Sequence, residues 1–129
     1  MTGNFKPPIY KAPPMLERDV KKQCLAYLHA RGIYAYNQRN TGTWNPKAAR
    51  FIPAPLKGIP DIVGYFGPNH EGFTGHAVYV ETKREKGGTV SPHQEYFITE
   101  AKRAGCFACI VHSVDELQAE LAKYLGGPR

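Results

Sequence analysis

Acidic residues are missing from a long stretch of this 129-residue chain. No Asp or Glu occurs between Val20 and Pro60. The bases in the same stretch are Lys21, Lys22, Arg31, Arg39, Lys47, Arg50 and Lys57. The whole chain has a formal net charge of +6 and a pI near 9.3. This composition favours a polyanionic partner.

Long apolar runs and paired cysteines are also missing. No apolar run approaches the ~20 residues that a membrane-spanning helix needs. The N-terminus lacks the apolar core of a signal peptide. The three cysteines are an odd number in a chain without a secretion signal, which argues against disulfides. We therefore expect a cytoplasmic protein, and we interpret Cys106 and Cys109 as small hydrophobic side chains.

The length predicts a single domain with an extension at each end. Residues 1–14 are rich in proline and carry no core pattern, so we expect an extended arm. Residues 15–125 would form the domain. The glycine-rich residues 126–129 would be a flexible tail.

Hydrophobic periodicity and turn residues predict an α/β fold in the order α-β-β-β-α-β-α. Pro14 precedes the first predicted helix and Gly32 follows it, as is typical of helix ends. Residues 39–57 have no regular pattern and are predicted to be a long loop. The predicted elements, helix or strand in the order given, are 15–31, 33–38, 61–66, 76–83, 91–105, 107–111 and 113–125.

Two short apolar runs carry acids at their ends. Asp61 opens one run, and Glu81 closes another, two positions before Lys83. Residues two apart in a strand share a face, so two carboxylates and one ammonium converge if Asp61 lies on the neighbouring strand. Such a set suits Mg²⁺, and the lysine would orient or help deprotonate an attacking water. The alternative is structural, because Asp after Pro is a common turn residue and Glu-x-Lys is often a solvated strand edge.

The predicted loop at 39–57 combines bases with aromatic residues. Phosphate contact and base stacking use such a combination, so we expect this loop to bind nucleic acid. The alternative is a solvated basic face with Trp44 packed on the core. The candidate binding residues are Arg39, Trp44, Lys47, Arg50 and Lys57.

Two further polar residues lie on the predicted helices. Glu17 falls at the margin of the apolar face of the first helix, where an acid also suits the positive end of the helix dipole. Gln94 follows Ser91 by three residues, so it fits a capping box, and it also heads the buried face of the second helix. The sequence therefore allows a structural role as well as a functional role for both Glu17 and Gln94.

The combined pattern resembles the VRR-NUC domain of the PD-(D/E)xK nuclease superfamily. The resemblance rests on Asp61 within Gly-Ile-Pro-Asp-Ile-Val-Gly, on Glu81-Thr82-Lys83, and on Ser-Pro-x-Gln ending at Gln94. It implies a restriction-endonuclease-like mixed β-sheet flanked by helices. It also implies DNA cleavage with Mg²⁺ or Mn²⁺, with metal bound by Asp61, Glu81 and the backbone carbonyl of Thr82.

The resemblance assigns the remaining roles as well. Lys83 would position or activate the water, Glu17 matches the acid of the family's first helix, and Gln94 matches its glutamine. Stand-alone members of the family are found in viruses, form homodimers and favour branched DNA such as four-way (Holliday) junctions. A phage member would act inside the bacterial host cell. The alternative to an endonuclease is a non-catalytic DNA-binding or recombination accessory protein that keeps the fold.

Overall fold

The computed structural model of the chain describes residues 12–38, 43–52 and 57–126. Most of the predicted arm, Arg39 and residues 127–129 lie outside these ranges. Residues 12–14 are exposed and belong to no helix or strand. Within the described ranges, no helix is long and apolar enough to cross a membrane.

The described residues form an α/β structure with every predicted helix and strand in its expected place. Two differences stand out. The segment predicted to be an irregular loop contains a two-stranded hairpin, β2–β3, and the last helix includes Gly126, which the sequence assigns to the tail. The elements are α1 (Glu17–Ala30), β1 (Ile33–Asn37), β2 (Thr43–Asn45), β3 (Arg50–Ile52), β4 (Ile62–Phe66), β5 (Ala77–Thr82), α2 (Pro92–Arg103), β6 (Phe107–Val111) and α3 (Val114–Gly126).

The main sheet has four strands in the order β1-β4-β5-β6. β1, β4 and β5 are antiparallel neighbours, whereas β6 runs parallel to β5. The parallel pair requires a crossover connection, and α2 provides it. The sheet is therefore mixed, as expected, although this architecture by itself does not identify a nuclease.

Helices cover the two faces of the sheet unequally. α1 and α3 pack on one face, where Val20, Leu28 and Leu117 are completely buried with Val80 of β5. α2 packs on the other face, over β5 and β6, with Ile98 and Ala101 against Ala108. The alternation of buried and exposed residues in β1 follows from this arrangement, because its outward-facing tyrosines lie beyond α2.

Two contacts fix the chain around one end of the sheet. α1 starts at Glu17 instead of residue 15, because Met15 is tied to the loop after β5: its N–H donates to the Glu85 carboxylate at 2.6 Å, and its carbonyl accepts the Glu85 N–H at 3.0 Å. On the other side, Gly58 has φ +82°, and a Cβ there would lie 2.3 Å from the carbonyl oxygen of His93. Only glycine allows this approach of the segment before Asp61 to the start of α2.

Candidate metal centre

The two predicted strand acids lie side by side at one end of the sheet. In the antiparallel register of β4 and β5, Ile62 pairs with Val80, so Asp61 falls opposite Glu81. The backbone N–H of Asp61 donates to Oε1 of Glu81 at 3.2 Å. The condition stated from the sequence, that Asp61 neighbours the strand of Glu81, is therefore met.

The carboxylate of Asp61 is held by three donors. The backbone N–H of Thr82 donates to Oδ1 at 3.0 Å and its hydroxyl to Oδ2 at 2.5 Å, while Nζ of Lys21 lies 3.4 Å from Oδ2. Thr82 itself is completely buried. The predicted role of its backbone carbonyl as a metal ligand stays a prediction, but its hydroxyl and N–H orient the neighbouring acid.

Glu17 completes a group of three carboxylates. One oxygen from each of Glu17, Asp61 and Glu81 lies within 4.8 Å of the others. Oxygen ligands on separate elements at this spacing fit a hard divalent cation, which retains water in its other positions. The residues present therefore suit Mg²⁺ or Mn²⁺, although clusters of acids also occur without a metal.

Burial and charge both act on Glu81. The side chain is 5% exposed, and its pKa rises from 4.5 to about 7, first because burial disfavours the charged form and second because Asp61 is close. Lys83 and the Asp61 N–H lower the pKa by smaller amounts. A bound cation would offset both of these effects and lower the pKa of Glu81. The carboxylate would then be charged and able to act as a metal ligand.

Lys83 lies under a glycine-rich loop beside the acids. Its side chain is buried, with Nζ 3.5 Å from Oε2 of Glu81 and donating to Oε1 of Gln94 at 2.9 Å. A Cβ on Gly88 would lie 2.7 Å from Cβ of Lys83, so glycine at 88 lets the loop close over the lysine stem. The ammonium is thereby held at a fixed position next to Glu81.

Gln94 contacts both the helix cap and the candidate site, so it has the structural and the site contacts that the sequence left as alternatives. It completes the capping box, because its N–H donates to the Ser91 hydroxyl at 3.2 Å and its Oε1 accepts the Ser91 N–H at 3.0 Å. The same Oε1 also accepts from Lys83. The helix cap thus fixes the oxygen that holds the lysine, and a catalytic role for Gln94 stays a prediction.

The structure describes the side chains of three of the five predicted DNA-binding residues. Lys47, Arg50 and Lys57 are exposed. Arg39 is outside the described residues, and of Trp44 only the backbone, within β2, is described. Lys57 lines a groove beside α2, close in sequence to Gly58. The proposed phosphate contacts of these residues remain predictions.

Sequence reasoning missed Lys21 as a member of the site. Lys21 follows Glu17 by one helical turn, and residues four apart on a helix lie on the same face. That spacing was the available signal. Cys24 and Cys109 offer no competing nucleophile, because burial raises the pKa of each thiol to about 12 and keeps it protonated.

Comparison of the chain with protein-family models, with curated proteins and with solved structures gave no match. We therefore infer its function from its own residues, their geometry and the motifs that carry the resemblance.

Proposed function

We propose that this chain is a metal-dependent endonuclease that hydrolyses phosphodiester bonds in DNA. The observation that carries the proposal is the convergence of three carboxylates with Lys83 at the end of two neighbouring strands. The formal net charge of +6 supports a polyanionic substrate. The resemblance to VRR-NUC nucleases supports the reaction class.

In this proposal Glu17, Asp61, Glu81 and the carbonyl of Thr82 would hold Mg²⁺ or Mn²⁺. Such ions supply hydroxide at neutral pH and stabilise the charge that develops on a phosphoryl group. Thr82 keeps the Asp61 carboxylate in one orientation through two hydrogen bonds. Lys83, fixed by Glu81 and Gln94, offers a positive charge to a phosphate oxygen or to the attacking water.

The exposed bases Lys47, Arg50 and Lys57 would bind the phosphate backbone, together with Arg39 and Trp44. We further propose branched DNA, such as a four-way junction, as the preferred substrate and a homodimer as the active form, because both follow from the family resemblance. Light scattering tests the second point. A mass near twice the 14.4 kDa of one chain is expected, and a monomer at micromolar concentration would contradict it.

One experiment separates the endonuclease from a non-catalytic DNA-binding accessory protein. Labelled linear, nicked and four-way DNA are incubated with the protein, with and without Mn²⁺. The proposal predicts metal-dependent cutting, fastest on the branched substrate. Tight binding of all three substrates without cutting under any metal condition would favour the accessory protein instead.

A further inference from the structure

Tyrosines are concentrated on the face of the sheet that α2 covers only in part. Tyr34 and Tyr36 of β1, Tyr65 of β4 and Tyr96 of α2 form what we call the tyrosine face. Their exposed fractions are 52%, 59%, 49% and 68%. Large aromatic side chains exposed together on one surface mark an interaction site more often than scattered ones do.

The strand register shows that the sheet tyrosines share one face and lead toward the metal centre. Tyr36 pairs with Val63, which pairs with Tyr79, and Tyr34 pairs with Tyr65 in the next row on that face. In the opposite direction, the next row contains Asp61 and Glu81. Successive rows on one face are about 7 Å apart along the strands, so the tyrosine face begins one row from the acids.

Folding explains only part of this arrangement. The rings of Tyr34 and Tyr65 meet edge to face with centroids 5.3 Å apart, a cross-strand pair that stabilises the sheet. Tyr36 and Tyr96, the two most exposed of the four, belong to neither core cluster of the described residues. The apolar area that they present to solvent is available to a ligand.

A groove between β5 and α2 lies beside the tyrosine face and includes one of its members, Tyr96. It has a volume of about 530 Å³ and is lined by Tyr79, Tyr96 and Phe97 together with Lys57 and His93, the sequence neighbours of Gly58 and Gln94. Glu100 also lines it. β1 and β4 themselves carry no acidic residue. The tyrosine face and the groove are therefore mainly aromatic, with one cation, Lys57, and one acid, Glu100, in the groove, and exposed aromatic rings suit the bases of a nucleic acid.

We propose that the tyrosine face stacks the bases of an unpaired DNA segment that continues from the strand held at the metal centre. Aromatic rings stack on the face of any base, so such a platform binds single strands with little sequence preference. The inference rests on the proposed DNA substrate and makes it more specific: the preferred DNA has unpaired nucleotides next to the cleavage point.

A second copy of the chain is the competing occupant of this face. Charge favours DNA at this face, because the chain has a net charge of +6 and neither β1 nor β4 carries an acid; the proposed homodimer would then form through another surface. A DNA strand brings one negative charge per nucleotide.

The test is binding of a fluorescent oligothymidylate strand in EDTA, so that no cleavage interferes. We expect Tyr36→Leu and Tyr96→Leu each to weaken binding roughly 5- to 150-fold, the range for loss of one stacked base. Tyr36→Phe and Tyr96→Phe, which keep the ring, should bind within about twofold of the wild type. The slope of log affinity against log salt should stay unchanged, since no phosphate contact is removed.

Each outcome decides between the proposals. Unchanged binding by both Leu variants, or no binding of single strands by a wild type that cuts duplex DNA, would overturn the stacking proposal alone. If the wild type cuts no DNA with Mg²⁺ or Mn²⁺ but binds single strands in a way that depends on the tyrosine rings, the result would support stacking and contradict the proposed nuclease function. Conversion of a dimer to a monomer by the Leu variants, seen by light scattering, would assign the tyrosine face to a second copy and overturn the proposal.

Discussion

The Nζ atom of Lys83 lies 2.9 Å from Oε1 of Gln94, and the same oxygen accepts the backbone N–H of Ser91 at 3.0 Å. One amide oxygen thus joins the cap of α2 to the lysine of the candidate site. The two roles have different chemical requirements, because a carboxylate caps a helix as well as an amide does but adds a negative charge beside the lysine.

Gln94→Glu should therefore leave the melting temperature unchanged or slightly higher while the cleavage rate falls roughly 100-fold, since the placed charge of Lys83 would be neutralised at the site. Ser91→Ala is the matched control. It removes the hydroxyl that caps α2 at a cost of about 1 kcal/mol but keeps the Lys83 contact, so cleavage per folded molecule should stay near wild type. An unchanged cleavage rate for Gln94→Glu would show that Gln94 acts only in the helix cap.

The pKa of Glu81 predicts how stability depends on pH in the metal-free protein. Because folding raises this pKa from 4.5 to about 7, the favourable contribution of the protonated form is complete below 4.5 and is lost as the pH rises through 7. Glu81→Gln cannot titrate, so above pH 7 it should be more stable than the wild type by up to about 3 kcal/mol. Urea unfolding in EDTA at pH 5 and pH 8 measures the difference.

The control for this experiment is Glu71→Gln, which alters an exposed acid in the turn after β4. Its stability relative to the wild type should be the same at both pH values. An equal effect of Glu81→Gln at pH 5 and pH 8 would show that Glu81 does not titrate as the structure indicates.

Lys21 should act as the cation beside Asp61 when no metal is bound. Its Nζ lies 3.4 Å from Oδ2 of Asp61, so Lys21→Met leaves the carboxylates without that charge. We expect a lower melting temperature in EDTA and a larger rise on adding Mg²⁺ than in the wild type, because ligand binding stabilises the folded state. Lys22→Met, on the exposed side of the same helix, is the control. Equal Mg²⁺ shifts in both variants would argue against this role.

Gly58 should be required for the approach of the segment before Asp61 to α2. Ala at φ +82° is strained by about 1–2 kcal/mol, and its Cβ would also meet the His93 carbonyl at 2.3 Å. Gly75→Ala is a matched control, because Gly75 has φ +81° and a Cβ added there would meet no described atom within 4 Å. Gly58→Ala should lose about 1–3 kcal/mol more stability than Gly75→Ala. Equal losses would exclude the contact as a cause.

The exposed bases predict the salt dependence of DNA binding. Lys47→Gln, Arg50→Gln and Lys57→Gln should each reduce the slope of log affinity against log salt by about 0.9 if the residue contacts a phosphate of duplex DNA. Lys123→Gln, on the exposed side of α3, should leave the slope unchanged. A triple variant with the wild-type slope would place the DNA surface elsewhere.

The sequence predicted the site acids because their strands have a simple period. Glu81 and Lys83 had to share a face, and turn residues bounded both runs. The contact with Asp61 needed only the register of β4 and β5, which the apolar pattern of the two strands favoured. The capping box at Ser91 was predicted for a similar reason, since it depends on residues three positions apart.

Features that depend on distant contacts could not be predicted in this way. The pairing of β2 with β3 joins short runs without a strong pattern, so the sequence predicts an irregular loop where the hairpin lies. The late start of α1 depends on Glu85, which is 70 positions from Met15. From the sequence alone, Lys21 is one of several bases in the acid-free stretch. Only the fold shows that its side chain lies next to Asp61.

The most direct test of the account is the cleavage of a labelled four-way junction in Mn²⁺ by the wild type, Asp61→Asn and Lys83→Met. We predict rapid cutting by the wild type that EDTA abolishes. Both variants should be folded, should bind the junction and should lose at least roughly 1,000-fold in rate, because several kcal/mol of transition-state stabilisation depend on these groups. Cutting in EDTA, or a wild-type rate in Asp61→Asn, would contradict the account.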